Sequence, residues 1–307
     1  MTKKVHLKKD TKDLIFVILL VALPLLQFFI FYVCVNINSI LLAFKKYDID
    51  NNVSFAGFDN FKQLFIDFKS FTLYKVALKN STLVFLIGCP ISLTLALLFS
   101  YYIYKKNSKF ANIFKVVLFL PSVIPAIALA TMFVQITDSA YPKLMQLLFN
   151  KEVFGLLQNP KSTIGTIIFY NIWCSFGVNM LLLISAMSSI NPSMIEAAKI
   201  DGVSFFQEFI YITFPQIFGT IKTLLIVSVG GFFVNSASIV SFYGTTADES
   251  VYTIGYYIYK ETVNLSLNNS QVGVPKLAAF GILLTVITLP IVYLLRYVLE
   301  RFGPKTN

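Results

Sequence analysis

The sequence predicts an all-α membrane protein with six transmembrane helices. Hydrophobic residues make up 56% of its 307 residues and charged residues only 13%, whereas a typical soluble domain carries about 25% charged residues. Six segments contain no Asp, Glu, Lys or Arg, and each is long enough to cross the ~30 Å hydrocarbon core of a bilayer as a helix. These segments span residues 14–35, 80–104, 116–136, 163–187, 223–243 and 277–295.

The first apolar segment is interpreted as a retained helix, because it is longer than the apolar region of a typical signal peptide. The stretch that follows carries phenylalanines at near-helical spacing, which predicts an amphipathic helix along the membrane surface. These phenylalanines are Phe58, Phe61, Phe65 and Phe68. The predicted divisions are a tail at 1–13, the first helix with this external segment at 14–73, the transmembrane domain at 74–298 and a tail at 299–307.

The distribution of lysines predicts that both termini face the cytoplasm. The N-terminal tail holds five lysines against two aspartates, and the 105–115 loop holds four lysines and no acidic residue. Lysine and arginine concentrate on the cytoplasmic side of membrane proteins, and an even number of spans places both termini together. The net charge of +10 is therefore attributed to membrane topology and not to nucleic-acid binding.

No catalytic or metal-binding set of residues is visible in the sequence. No Gly is followed by Lys, so the phosphate-binding Walker A loop is absent. His6 is the single histidine, and Cys34, Cys89 and Cys174 lack the spacing of metal ligands. We therefore expect no enzymatic activity, no metal site and no cofactor in this chain. The uncharged spans also disfavour a proton- or ion-driven carrier.

A polar segment between the fourth and fifth spans predicts two short helices joined by a tight turn. Segments 193–196 (SMIE) and 204–207 (SFFQ) both have the spacing of a capping box, so a helix is expected to begin at Ser193 and at Ser204. The dipeptide Asp201-Gly202 breaks the first helix, with a positive φ expected at Gly202. Pro215 is expected to end or kink the second helix.

This polar segment resembles the cytoplasmic EAA loop of ABC-importer permease subunits. The positions in register are Glu196, Ala197, Ala198, Asp201, Gly202, Phe209, Ile212 and Pro215, while Val203 and Gly219 depart from the pattern. The resemblance implies a type I ABC importer permease core, in which this loop forms coupling helices that contact the ATPase. The implied coupling residues are Glu196, Ala197, Ala198, Asp201, Gly202 and Phe205.

Two other segments resemble signatures of sugar-type permeases. Residues 57–65 read GFDNFKQLF, and residues 120–130 read LPSVIPAIALA. Pro121 and Pro125 in the second of these predict a kink in the third span. Residues 241–250 (SFYGTTADES) depart from the T-x-G-G-P stretch of the family. The resemblance implies import of an oligosaccharide or related carbohydrate.

The same resemblance implies a set of partners in a bacterial plasma membrane. A second permease subunit would complete the pore, and an extracytoplasmic solute-binding protein would deliver the carbohydrate. Two ATP-binding subunits would bind ATP and Mg²⁺, and membrane lipid would surround the spans.

Polar residues recur on one face of the fourth and fifth spans. Neutral amides and hydroxyls beside aromatic rings suit an uncharged sugar, while helix–helix packing is the alternative explanation. Alignment on Glu196 places the sugar pocket of the maltose-type permease at these positions, although Ser175 and Val178 depart from its residue types. The predicted substrate-binding residues are Asn171, Trp173, Ser175, Ser228, Phe232 and Asn235, of which Trp173 is included because it lies near this polar face; the alignment also matches Val178 and Gly231.

Three other functions remain open from the sequence. An ABC importer of a non-sugar solute would share the EAA loop. A stand-alone secondary carrier is disfavoured by the uncharged spans, and a membrane-embedded enzyme by the missing catalytic residues.

Overall fold

The computed structural model describes residues 11–48, 52–106 and 108–304, with side chains from residue 16 onward. The lysines at positions 3–9 that contribute to the predicted orientation lie outside these residues. The chain forms two compact units, one containing the residues up to Phe65 with Leu265–Leu283, and the other containing Ile66–Asn264 with the residues from Leu284 onward. The division predicted from sequence stays a prediction.

The fold agrees with the predicted all-α membrane class. Among the described residues, five helices are long and apolar enough to cross a membrane, and a bent pair of helices makes a sixth crossing if it is one span. The five are Phe16–Leu42, Thr72–Lys106, Thr163–Ser188, Phe205–Gly230 and Val274–Phe302, and the bent pair is Lys109–Ser122 with Ala126–Phe149.

The first unit begins with an apolar helical rod whose side chains, from Phe16 onward, are almost all exposed. It consists of helix α1 (Thr11–Gln27), a π-helical turn (Phe28–Cys34) and helix α2 (Val35–Leu42). Such a rod suits lipid, because it is hydrophobic on every face. Strand β1 (Lys45–Tyr47) then pairs antiparallel with strand β2 (Val53–Phe55).

The segment that carries the GFDNF signature ties this hairpin to the following helix, α3 (Asp59–Ser70). The side-chain amide of Asn60 donates to the carbonyl oxygens of Ala43 and Lys45, both at 2.8 Å. The rings of Phe58 and Phe61 both pack against Phe44, at centroid distances of 5.5 and 5.6 Å. A helix is therefore present where the amphipathic helix is predicted, and its asparagine bonds the carbonyl after α2 and one in strand β1. Its place along the membrane surface stays a prediction.

The second unit is a helical assembly around two long, closely packed helices, α4 (Thr72–Lys106) and α8 (Thr163–Ser188). Between them in sequence lie α5 (Lys109–Phe119), α6 (Ala126–Val134) and α7 (Tyr141–Phe149). After them come α9 (Pro192–Ile200), α10 (Phe205–Glu208), α11 (Phe214–Gly230), α12 (Ile239–Tyr243), α13 (Ile254–Leu267) and α14 (Val274–Phe302), the last two of which belong to the first unit over Leu265–Leu283. The core includes Met180, Leu183 and Met187 of α8.

The third predicted span is broken, so its prediction as one helix over 116–136 is wrong. Its first half ends in a 3₁₀ turn, Leu120–Ser122, and the two halves meet at 94° across residues 123–125. Pro121 and Pro125 both lack the N–H that an α-helix needs, which explains a bend sharper than the predicted kink. The chain just before this turn packs directly against Gly177 of α8. A side chain there would not fit, because an added Cβ would lie 2.7 Å from the carbonyl oxygen of Leu118.

The fifth span also differs from its predicted bounds of 223–243. The helix runs from Phe205 to Gly230, and the residues that follow leave helical geometry, with positive φ at Ala237 and Ser238. Pro215 does not end the helix, so of the two predicted effects a kink is the one that stays a prediction. A π-helical turn at Phe209–Thr213 lies directly before it, where the proline ring would otherwise press on the carbonyl four residues back.

The predicted start of the first short helix is wrong by two residues. Asn191 is the N-cap of α9, and its side-chain oxygen accepts the backbone N–H of Ser193 at 3.1 Å. Pro192 occupies the first helical position, where a backbone N–H would have no partner within the helix, so the missing N–H of proline costs no hydrogen bond. The cap predicted at Ser204 is confirmed, since Ser204 and Gln207 form a reciprocal capping box.

Candidate functional site

A cavity of about 420 Å³ lies within the second unit, between α4, α8 and the end of α11. Of the six predicted substrate-binding residues, five line it: Asn171, Ser175, Ser228, Phe232 and Asn235. Gly231, Asn179 and Thr253 also line the cavity, together with Ser81, Val84, Phe85, Gly88, Cys89 and Ser92 of α4. Among the residues that line it in the described part of the chain there is no Asp, Glu, Lys, Arg or His.

Trp173 is the predicted residue that the structure does not bring to the cavity. Its ring lies 6.1 Å from that of Phe133 and 6.2 Å from that of Tyr170, and it packs against the core. In a helix, side chains two residues from a cavity-lining position point to another face, and Trp173 stands two residues from both Asn171 and Ser175.

The contribution of α4 is the part of the cavity that sequence reasoning missed. One face of α4 lines the cavity with residues at helical spacing, Ser81, Phe85, Gly88 and Ser92. This spacing of small and polar residues was the signal in the sequence that could have indicated the contribution of α4. The hydroxyls of Ser92 and Ser175 lie 3.0 Å apart and join α4 to α8 at the cavity wall.

Asn171 holds the non-helical segment that follows α11. Its amide nitrogen donates to the carbonyl oxygens of Ile167 (2.8 Å) and Ala237 (2.9 Å), and its oxygen accepts the hydroxyl of Ser238 at 3.2 Å. Ala237 and Ser238 both have positive φ, a conformation that costs of order 1 kcal/mol or more for each non-glycine residue. The Asn171 amide therefore stabilises backbone at the cavity edge, whatever its part in binding.

Asn235 and Asn179 have polar atoms still available for a ligand. The Asn235 oxygen accepts the backbone N–H of Ala237 at 2.8 Å. Within the described residues, the Asn235 amide nitrogen and the Asn179 side chain have no intramolecular hydrogen-bond partner. Because a neutral amide supplies both donors and acceptors, these two side chains are the best placed to bond a hydroxylated solute.

The segment 244–256 closes the cavity on the side of Thr253. The Thr253 hydroxyl donates to the carbonyl oxygen of Asn235 at 3.3 Å, and a Cβ at Gly255 would lie 2.7 Å from the Asn235 carbonyl carbon. The hydroxyl of Tyr256 donates to the carbonyl oxygen of Gly244 at 3.0 Å, and burial raises the pKa of this phenol. Only glycine fits at position 255, so the backbone there lies directly against Asn235.

The predicted coupling segment forms a compact elbow, defined as residues 192–208. At the end of α9, the N–H of Gly202 bonds the carbonyl of Lys199 and the N–H of Val203 bonds that of Ala198, which is the Schellman pattern. Gly202 has φ +69°, and a Cβ added at this position would have no neighbouring atom within 4 Å. The positive φ expected at Gly202 is therefore confirmed, and its cause is the backbone turn and not crowding.

The elbow has a buried side and an exposed side. Ala198 is buried with Ile195, so this one member of the predicted coupling set faces the core. The remaining members are exposed: Glu196, Ala197, Asp201, Gly202 and Phe205. Ile200 is 87% exposed and Phe206 is 73% exposed, so the outer surface combines acidic and large apolar side chains.

Residues 88–307 match the sequence profile of a protein family described as "Binding-protein-dependent transport system inner membrane component". Arabinooligosaccharides transport system permease protein AraP of Bacillus subtilis is 28% identical over 86% of this chain and 82% of its own length. A probable ABC transporter permease protein of the same organism, YesP, is 32% identical, but the match covers 58% of this chain and 57% of YesP.

A solved structure also resembles this fold. It is a bacterial ABC transporter involved in the import of the acidic polysaccharide alginate, and its matching chain is 26% identical with a TM-score of 0.74. The match covers 94% of this chain and 96% of that chain. A second structure of an alginate transporter, in complex with a pentasaccharide-bound periplasmic protein, is 23% identical with a TM-score of 0.73 and supports the fold alone.

We predict that Gly202→Val destabilises the elbow, whereas Gly202→Asn is tolerated. A β-branched residue resists the positive φ at this position, at a strain of about 1–3 kcal/mol, while asparagine adopts it readily. Hydrogen–deuterium exchange should be faster across 198–208 in the Val variant and close to wild type in the Asn variant. Equal protection in the two variants would contradict the requirement for a positive φ.

We also predict that Asn171→Ala destabilises the segment 231–239 more than Asn235→Ala does. The first change leaves the Ala237 carbonyl without its side-chain donor, and leaving a buried polar group unpaired costs about 1–3 kcal/mol. It also leaves the Ser238 hydroxyl without its acceptor, whereas the second change removes a single bond to this segment, from the N–H of Ala237. Melting temperature and hydrogen exchange of the purified protein measure both effects, and a larger loss in Asn235→Ala would refute the bracing role of Asn171.

Proposed function

Since its profile match spans more than two thirds of the chain, this protein belongs to the family of binding-protein-dependent transport system inner membrane components, and we propose that it forms half of the translocation pore of a carbohydrate importer. The family consists of permease components, so the chain is a transport subunit and not an enzyme. Its relatives support a carbohydrate, because AraP is named for arabino-oligosaccharides and the matching solved structure imports alginate.

The observation that carries this proposal is the cavity itself. Its wall combines neutral amides and hydroxyls with the rings of Phe85 and Phe232, whose centroids lie 5.0 Å apart. Amides bond sugar hydroxyls and aromatic rings cover sugar C–H faces. Among the described residues, no Lys or Arg lines this wall to pair with a carboxylate. The cavity therefore favours an uncharged oligosaccharide over an acidic one such as alginate.

The elbow 192–208 is proposed to contact an ATP-binding subunit. Its exposed apolar residues Ile200 and Phe206 lie beside exposed Glu196 and Asp201, and aromatic and apolar side chains ringed by polar groups are typical of protein interfaces. Ala198 supports this surface from the buried side. ATP and Mg²⁺ would be held by two such partner subunits, since this chain contains no Walker A loop.

The remaining partners follow from the same proposal. A second permease subunit completes the pore, an extracytoplasmic solute-binding protein delivers the sugar, and lipid surrounds the exposed apolar spans. The membrane is the bacterial plasma membrane, and both termini face the cytoplasm.

Affinity purification of the tagged chain from its host membrane, followed by an uptake assay, tests the function. We expect an ATP-binding protein and a second permease to co-purify, and ATP-dependent uptake of a neutral trisaccharide. A uronic-acid trisaccharide should be taken up at least about tenfold more slowly, because burying an unpaired carboxylate costs several kcal/mol.

The outcomes separate the parts of the proposal. Absence of an ATP-binding partner would contradict the importer assignment. Uptake of a non-sugar solute without sugar uptake would agree with the importer assignment and contradict the assignment of a carbohydrate as the substrate. Equal uptake of the neutral and acidic trisaccharides would reject only the argument from the uncharged cavity.

Topology is tested with single cysteines and a membrane-impermeant thiol reagent applied outside intact spheroplasts. We expect no labelling at residues 109 and 207, and labelling at residue 266, because 105–115 and the elbow are assigned to the cytoplasm and 244–270 to the outside. Permeabilised cells serve as the control and should label all three positions. Outside labelling at position 207 would overturn the orientation and the ATPase contact together.

A further inference from the structure

One ion pair joins the elbow to the long helix α4. The ammonium of Lys105 lies 2.7 Å and 2.6 Å from the two carboxylate oxygens of Glu208. The Glu208 side chain is 5% exposed and that of Lys105 is 20% exposed. Lys105 belongs to the last turn of α4, and Glu208 closes the second helix of the elbow.

A second residue of α4 reinforces this contact from one turn away. Tyr101 lies four residues before Lys105 and therefore on the same helical face. Its hydroxyl donates to the carbonyl oxygen of Phe205 at 2.9 Å, and its ring lies 4.6 Å from that of Phe205 and 4.7 Å from that of Phe209. The end of α4 thus contacts residues 205–209 by an ion pair, a hydrogen bond and ring packing.

The same helix forms one wall of the cavity. Ser81, Phe85, Cys89 and Ser92 line the cavity, and Lys105 lies 13 residues beyond Ser92, a distance of about 20 Å along an α-helix. The helix is continuous over this interval. A displacement of residues 205–209 would therefore act on the same helix that lines the cavity, in which Pro90 lies between Cys89 and Ser92.

A buried ion pair is a weak explanation for stability. Removing two charges from water offsets most of their attraction, and such pairs are often replaceable by apolar residues without loss. Their better-attested effect is to fix one arrangement of two elements. Here the arrangement that the pair fixes is that of the elbow against α4.

We propose that Lys105, Glu208 and Tyr101 form a positioning clamp that transmits nucleotide-driven movement of the elbow to the cavity. The inference rests on the proposed function, because it requires an ATPase that moves the elbow. Lys105, Glu208 and Tyr101 do not belong to the exposed surface that is proposed to contact the ATPase. Their proposed role is to transmit movement and not to bind the ATPase.

The test uses the assembled importer in lipid nanodiscs, with native Cys89 as a reporter in the cavity. Cys34 and Cys174 are changed to Ala, and the rate at which a maleimide modifies Cys89 is measured without nucleotide and after trapping with ATP, Mg²⁺ and vanadate. In this background we expect trapping to change the Cys89 rate. In Lys105→Gln we expect vanadate-trapped nucleotide to be retained and the change at Cys89 to be lost.

Rescue separates transmission from simple structural damage. The exchange Lys105→Glu with Glu208→Lys restores the pair in reverse polarity, and we expect it to restore the Cys89 response. Lys222→Gln is the matched control, because it removes another lysine ion pair, with Glu300 at 3.3 Å, and leaves residues 101–105 and 205–209 unchanged. This control should respond as the background does.

Three results would overturn the clamp. They are a normal Cys89 response in Lys105→Gln, an exchanged pair that assembles and stays unresponsive, and an equal loss in Lys222→Gln. If both charge variants fail to assemble, Tyr101→Phe decides, since it removes only the hydroxyl: a reduced response supports the clamp and an unchanged response rejects it. No response in the background itself would instead reject the proposed link between ATP and the cavity.

Discussion

The cavity depends on backbone that leaves helical geometry inside a membrane protein. Lipid supplies no hydrogen bonds, so non-helical backbone at membrane depth is tolerated only where protein or a water-filled cavity satisfies it. After Gly230 this condition is met by Asn171, which bonds the carbonyl of Ala237 and the hydroxyl of Ser238. The break after α11 can therefore persist, and it brings Asn235 and Phe232 to the cavity.

The same constraint governs the broken third span. Two prolines interrupt its helix, and the turn between its halves lies directly against α8 because Gly177 has no side chain. The two breaks differ in how they are stabilised, one by a side-chain amide and the other by close backbone packing. In both cases α8 supplies the stabilising residue, so this helix determines where the irregular segments lie.

Sequence reasoning reached the class, the elbow and the polar residues that α8, α11 and the segment after α11 bring to the cavity, because those features have local signals. Charge-free segments mark spans, capping spacing marks Ser204, and the polar face of the fourth span marks Asn171 and Ser175. It placed the fifth span wrongly because residues 231–238 carry no charged side chain and so continue the charge-free segment, while their conformation is stabilised by a side chain more than sixty residues earlier in the chain. The pair Lys105–Glu208 was missed for the same reason, since its members lie 103 residues apart.

The central claim is that the space between α4, α8 and the end of α11 receives the transported sugar. The most direct measurement is a cryo-EM map of the assembled importer trapped with a neutral oligosaccharide that it transports. The account predicts sugar density against the side chains of Asn179 and Asn235, with the Asn171–Ala237 hydrogen bond intact. Density that bypasses this cavity, or a cavity filled by lipid while sugar occupies another path, would contradict it.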